Sequence, residues 1–392
     1  MVLGHVVAAT LSAAAQGRPP LPAPSGPHGV GTATYEWIDH GRPEVVDYAR
    51  RDRDGALRSV PPTGSRQLVV RLWYPSPADS RGGEPFPYNP SAIAFRGVLR
   101  DTARLSAYRT TAAHAAEGRP LLADARLPLL IFSPATGMFV EDYTTLLADL
   151  ASHGFVVAAI AHPGITLLTF GDGALGMEWG GWRPPRTLST SLKLDSLRAA
   201  FAFSSARDAY LAADVHFVVR QLLADGVAPF SALIDSTRVG VFGHAMGGAV
   251  AALAASDDDR KPIRALAVFD AILPGALFER AIPVPLLLVR TTATTYPAGW
   301  SDRLGETFAH VTADGYDLLI HGATPLGFSD RMLLASRTTD AADQAVLQLR
   351  LVTEYTRAFF TRVLKDESEP LLDTGATPPA MVTLTRHPAP KP

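Results

Sequence analysis

The chain predicts an α/β fold: a mainly parallel central sheet with helices on both faces. Three observations carry this. From residue 127 onward, apolar runs alternate with helix-patterned segments, the rhythm of successive βα units. The runs LPLLIFSP (127–134) and FVVAAIAHP (155–163) are apolar without alternation, as strands covered on both faces are. Finally, VGVFGHAMGGAVAALAAS (239–256) passes from a strand through a tight glycine turn into a helix of small residues.

Bulk properties narrow the function classes. The chain has 392 residues, 47% of them hydrophobic, which is long for one domain but within range for an α/β enzyme. A formal net charge of -2 argues against a nucleic-acid partner, because phosphate binding needs clustered cations. The absence of cysteine removes disulfides, thiolate metal sites and cysteine nucleophiles together, and fits a cytoplasmic protein. No apolar stretch is long enough to span a bilayer, so no integral membrane segment is expected. Residues 1–29 read as a flexible leader. LSAAAQG loosely suggests a cleavage site, which leaves secretion open, but the segment lacks a basic start. Residues 30–392 read as a single domain, and the sequence does not set its oligomeric state.

The elements follow in order. TATYEWID (32–39) and RQLVVRLWYP (66–75) are strand-like, the second ending at a proline as a strand near a sheet edge can. The charged residues 40–65 between them read as a surface loop. VEDYTTLLADLASHG (140–154) has helical spacing and a terminal glycine suited to a C-cap. Residues 163–204, rich in Gly, Pro and Trp, interrupt the rhythm and read as a lid insertion; a long amphipathic helix follows at 206–225. RVGVFGH (238–244), RALAVFDAI (264–272), PLLLVRTT (285–292) and YDLLIHG (316–322) are further strands, and 341–366 is a closing helix.

The turn GHAMGG has the shape of a nucleophile elbow, with Gly243 and Gly247 making room for a sharp reversal. At its centre stands Ala245, whose methyl group cannot form an acyl-enzyme.

From about residue 30 the chain resembles the α/β-hydrolases of the platelet-activating factor acetylhydrolase family, particularly their bacterial relatives. The matching pieces are VVRLWYP, LPLLIFSPATGM, DLASHGFVVAAIAHP, DAYLAADVHFVVRQL, RVGVFGHAMGG and TRAFFTRVLKDESEPLL. The resemblance implies an α/β-hydrolase fold with a lid insertion. It puts the nucleophile position on Ala245 and the triad acid on Asp270. The triad histidine position, in GATPLGFSD, falls on Pro325, which has neither a titrating proton nor a backbone N–H. Backbone donors for an oxyanion would come from Thr136, Gly137, Met138 and Met246. Ala135 and Ala161 also depart from the family pattern.

Ala245 together with Pro325 points to loss of the Ser–His pair as a unit, rather than replacement of one serine. The leading expectation is therefore a non-hydrolytic enzyme acting on an apolar small molecule by cyclisation, elimination or isomerisation. Asp270 would supply acid/base chemistry, followed by His321 and His244. The Ala- and Arg-rich composition resembles high-GC bacteria, and by analogy such a protein would serve natural-product biosynthesis. The alternatives are an ester or lipid-acyl hydrolase disabled at Ala245, with His321 as base, and a catalytically dead binding protein. His162, Trp179 and Trp182 are candidate substrate contacts, with Phe170 and Met177 as further lid residues. The histidines are scattered without ligand spacing, so no metal is expected, and no dinucleotide fingerprint implies a cofactor.

Overall fold

The computed structural model describes residues 21–78, 84–89, 91–99, 101–123, 125–176, 197–224, 229–257, 262–271, 277, 280–292, 306–373, 375 and 377–390; of 84–87, 197–205 and 306 only the backbone is used. The strands are β1 (Gly29–Pro43), β2 (Tyr48–Arg51), β3 (Leu57–Val60), β4 (Ser65–Ser76), β5 (Glu84–Pro87), β6 (Ala112–Glu117), β7 (Leu127–Ser133), β8 (Val156–Ala161), β9 (Leu168–Thr169), β10 (Leu175–Gly176), β11 (Ile234–His244), β12 (Ile263–Phe269), β13 (Leu286–Thr291), β14 (Gly315–Ile320) and β15 (Val382–His387). The α-helices are α1 (Ser91–Ala94), α2 (Thr102–Thr110), α3 (Thr144–Ser152), α4 (Leu197–Leu223), α5 (Met246–Ser256), α6 (Asp330–Ala335) and α7 (Thr339–Lys365).

Eleven strands form the main sheet, in the order β15-β14-β13-β12-β11-β7-β8-β4-β1-β6-β5. The block from β14 to β8 is parallel throughout, and antiparallel β15 and β4 flank it. Side chains of β7 and β8 alternate between two cores. Leu130 and Phe132 join α3 and α7 on one face, and Leu129 and Ile131 join α4 and α5 on the other. That two-sided burial is why these strands carry no polar residue before Ser133 at the end of β7.

Several local expectations are corrected. β4 lies between β1 and β8, not at an edge. Its proline is tolerated because the ladder with β8 ends at Trp73, before Pro75. Residues 40–65 are not simply a loop: β2 and β3 pair there and, with β9 and β10, make a four-stranded sheet. The start of the insertion therefore belongs to a small sheet, and α4 begins at Leu197, before the expected 206. Residues 21–28 are docked on α3. The Ser25 N–H donates to Asp149 Oδ1 at 2.8 Å, and the Gly26 N–H to Ser152 Oγ at 3.0 Å. The expected glycine at the end of α3 is Gly154, which follows the C-cap with φ +84°. Among the described residues no helix is long and apolar enough to cross a membrane.

Candidate active site

Because β7, β11, β12, β13 and β14 run parallel, their C-terminal ends meet at one edge of the sheet. The chain reverses there between β11 and α5. Ala245 sits at the turn with φ 50° and ψ −117°, a conformation that costs a non-glycine residue about 1–3 kcal/mol. Its N–H donates to the Phe269 carbonyl at 2.8 Å, which ties the turn to β12. Close approach enforces the glycines on either side. A Cβ on Gly243 would stand 2.3 Å from the Gly247 carbonyl oxygen, and one on Gly247 would stand 2.0 Å from that of Ser133. The elbow is thus complete in backbone and carries a methyl group at its half-exposed tip.

The two reversals differ in what they hold. Beside the elbow, Asp270 also has positive φ, 42°. It is 2% exposed and accepts from the Thr291 N–H at 3.0 Å and from the Thr291 hydroxyl. Burial pushes its carboxyl up to about 6, against the pull of the Thr291 bonds.

Among the described residues no histidine bonds to Asp270. His321 lies at the outer end of β14, exposed, with Nε2 2.9 Å from the Thr383 hydroxyl on β15. Pro325 opens the short 3₁₀ turn Pro325–Phe328. The end of that turn packs inward: Phe328 stacks on Phe269 with centroids 5.4 Å apart and lies 5.0 Å from the His244 ring.

His244 lies beneath the elbow, not in it. The Tyr143 hydroxyl lies 2.8 Å from its Nδ1 and accepts the Ala135 N–H at 3.2 Å. Burial pushes the imidazole down to about 3, so it stays neutral, and Nε2 is buried without a partner.

Two of the four expected oxyanion donors are engaged internally. The Gly137 N–H donates to Ile165 O at 2.7 Å, and the Met138 N–H to Ala135 O at 3.2 Å. The amides of Thr136 and Met246 have no acceptor among the described residues, and both residues are half-exposed. One flanks the end of β7 and the other starts α5, the two places from which an oxyanion hole of this architecture is built. Arginines reach both neighbouring methionines: Arg331 Nη1 is 2.7 Å from Met138 Sδ, and Arg207 Nη2 is 3.2 Å from Met246 Sδ.

His162 is fully buried, with both ring nitrogens engaged: Nε2 is 3.0 Å from Ser133 Oγ and Nδ1 2.9 Å from Asp214 Oδ2. Asp214 also pairs with Arg66 and Arg42, each at 2.7 Å. This is a Ser–His–Asp string in hydrogen-bonding terms, but all three residues are buried. Trp179, Trp182 and Met177 lie outside the described residues. Phe170 is buried against Tyr48, with centroids 4.9 Å apart, so it anchors the insertion to the body.

Sequence reasoning did not single out Tyr143, Ser133, Asp214 or Asp330. Asp330 is visible in GATPLGFSD, but its complete burial comes from Tyr88 and Thr145, far away in the chain.

The architecture matches a solved structure along nearly its whole length. A ferulic acid esterase from Streptomyces cinnamoneus superposes with a TM-score of 0.68, covering 93% of this chain and 98% of that one at 24% sequence identity. The chain has an α/β-hydrolase fold. Residues 14–165 of this chain match the family described as platelet-activating factor acetylhydrolase, isoform II. A cattle (Bos taurus) platelet-activating factor acetylhydrolase is 31% identical over 187 residues, 44% of this chain and 42% of that protein. The dog (Canis lupus familiaris) protein of the same name is 30% identical over 193 residues, 45% and 43% of the two chains. The matched stretch thus spans less than half the length of these relatives.

Proposed function

We propose that this α/β-hydrolase-fold protein is a non-hydrolytic enzyme. It holds the carbonyl oxygen of an apolar small molecule on the Thr136 and Met246 amides. Asp270 then moves a proton beside that carbonyl, giving cyclisation, elimination or isomerisation. The observation behind this reading is an elbow kept in its strained backbone form, with two flanking amides lacking acceptors among the described residues, while its reacting pair is Ala245 and Pro325. A methyl group cannot attack, so no acyl-enzyme forms. Amides aimed at a developing oxyanion still stabilise an enolate. A carboxyl near 6 exchanges its proton close to neutral pH. The relatives' names, an acetylhydrolase and a ferulic acid esterase, agree with a carbonyl-bearing ligand.

Two measurements test the reading. Ala245→Ser, with Pro325 in place, is expected to hydrolyse no p-nitrophenyl butyrate and to take no label from a serine-directed phosphonate. Strong labelling with turnover would establish instead a hydrolase disabled at one atom. The wild type is expected to exchange the α-protons of cyclohexanone for deuterium, and Asp270→Asn to lose that exchange. Equal exchange by both proteins would remove Asp270 from the chemistry.

A further inference from the structure

A cavity of about 770 Å³ opens between α1 and α2, and no residue of the elbow, the Thr136 loop or Asp270 lines it. Its volume falls within the roughly 300–1,000 Å³ of small-molecule sites. Ala92, Ile93 and Leu99 supply hydrocarbon walls, and Ile93 is 61% exposed.

The polar lining is one-sided. Asn89 is 2% exposed, and its Oδ1 accepts the Ala92 N–H at 2.9 Å, capping α1. That bond fixes the amide's orientation, so Nδ2 carries the hydrogens, and Nδ2 is buried with no acceptor. Arg96 and Arg109 also line the cavity and form no ion pair among the described residues. No carboxylate lines it among those residues. The lining therefore offers donors and positive charge beside an apolar wall.

We propose that this cavity binds a single-chain amphiphilic carboxylate. Its hydrocarbon lies on Ile93 and Leu99, and its carboxylate is met by the Arg96 and Arg109 guanidinium groups. The site is separate from the elbow and does not depend on the chemistry proposed there.

Titration calorimetry with dodecanoate, below its micelle concentration, tests this on the full chain. Dodecanoate is expected to bind saturably, one per chain, and about fivefold or more tighter than dodecanol, the difference two partly exposed charge contacts make. The double variant Arg96→Gln/Arg109→Gln should lower dodecanoate to the dodecanol level. Both arginines are exposed, so the fold should survive the change. Asn89→Asp keeps the acceptor that caps α1 and puts a negative charge beside the cavity, and should weaken dodecanoate further. Ala245→Trp, which fills the elbow mouth, should leave the affinity unchanged. Absence of saturable binding would overturn the proposal, as would equal affinity for acid and alcohol or an unaffected arginine variant. Loss of binding in Ala245→Trp would also overturn it, by moving the ligand to the elbow.

Discussion

Replacing Asp330 by asparagine removes a charge for which the fold has made little provision. Asp330 is fully buried at the start of α6. Its Oδ2 accepts from the Thr145 N–H at 3.2 Å and the Tyr88 hydroxyl at 3.1 Å, while Oδ1 has no partner. Burial pushes the carboxyl up to about 7, and Asp142 adds a negative neighbour. In the unfolded chain the group titrates near ~4. Its folded value is raised, so the stability tied to its proton is whole below about pH 4 and is lost as pH rises through 7. The slope in that window is ~1.4 kcal/mol per pH unit. Between pH 5 and pH 8 the wild type therefore loses ~3 kcal/mol, and Asp330→Asn loses none of it. Urea denaturation of both proteins at unit steps of pH measures the difference directly. Asp270, raised by burial to about 6, adds a loss of the same sign to both proteins and cancels. A difference between the two that stays within ~0.5 kcal/mol from pH 5 to 8 would refute the placement of Asp330 in a dry, unpaired site.

Three other changes probe the frame of the site. Gly247→Ala drives a methyl group to 2.0 Å from the Ser133 carbonyl, a backbone atom that cannot swing aside, so thermal unfolding should show a loss of ~3 kcal/mol or no folded protein. Asp214→Asn leaves Arg66 fully buried with Glu44 as its remaining carboxylate, and chemical denaturation should report a loss of ~3–5 kcal/mol. Tyr143→Phe strands the Ala135 N–H and His244 Nδ1, and should cost ~1–3 kcal/mol by the same measurement.

What could be read in the sequence is what local pattern decides. β7, β8, β11, β12, β13 and β14 are apolar because both faces of the sheet are covered, and each run was visible as such. The elbow was visible because its close approaches demand glycine at 243 and 247. β15 was not, since VTLTRH is a half-polar edge segment that becomes a strand only by pairing with β14. Histidines were the hardest to read. His162 is buried because Asp214 and Arg66, distant in the chain, form a charged cluster with it. His321 is exposed because the chain turns outward after β14 and meets Thr383. Both are decided by contacts between distant segments, which a reading by local spacing does not contain.

The register of β7 against β11 sets Ser133 opposite Gly243, two residues before the elbow's tip. On two neighbouring strands the molecule thus separates what a hydrolase combines. Ser133 has the partners of a nucleophile and is buried, while Ala245 is half-exposed and carries only a methyl group. A search by hydrogen-bonded Ser–His–Asp contacts would find this string in residues that are all buried. Reactivity belongs to the pairing of a reagent with an opening, and here a single strand spacing keeps them apart.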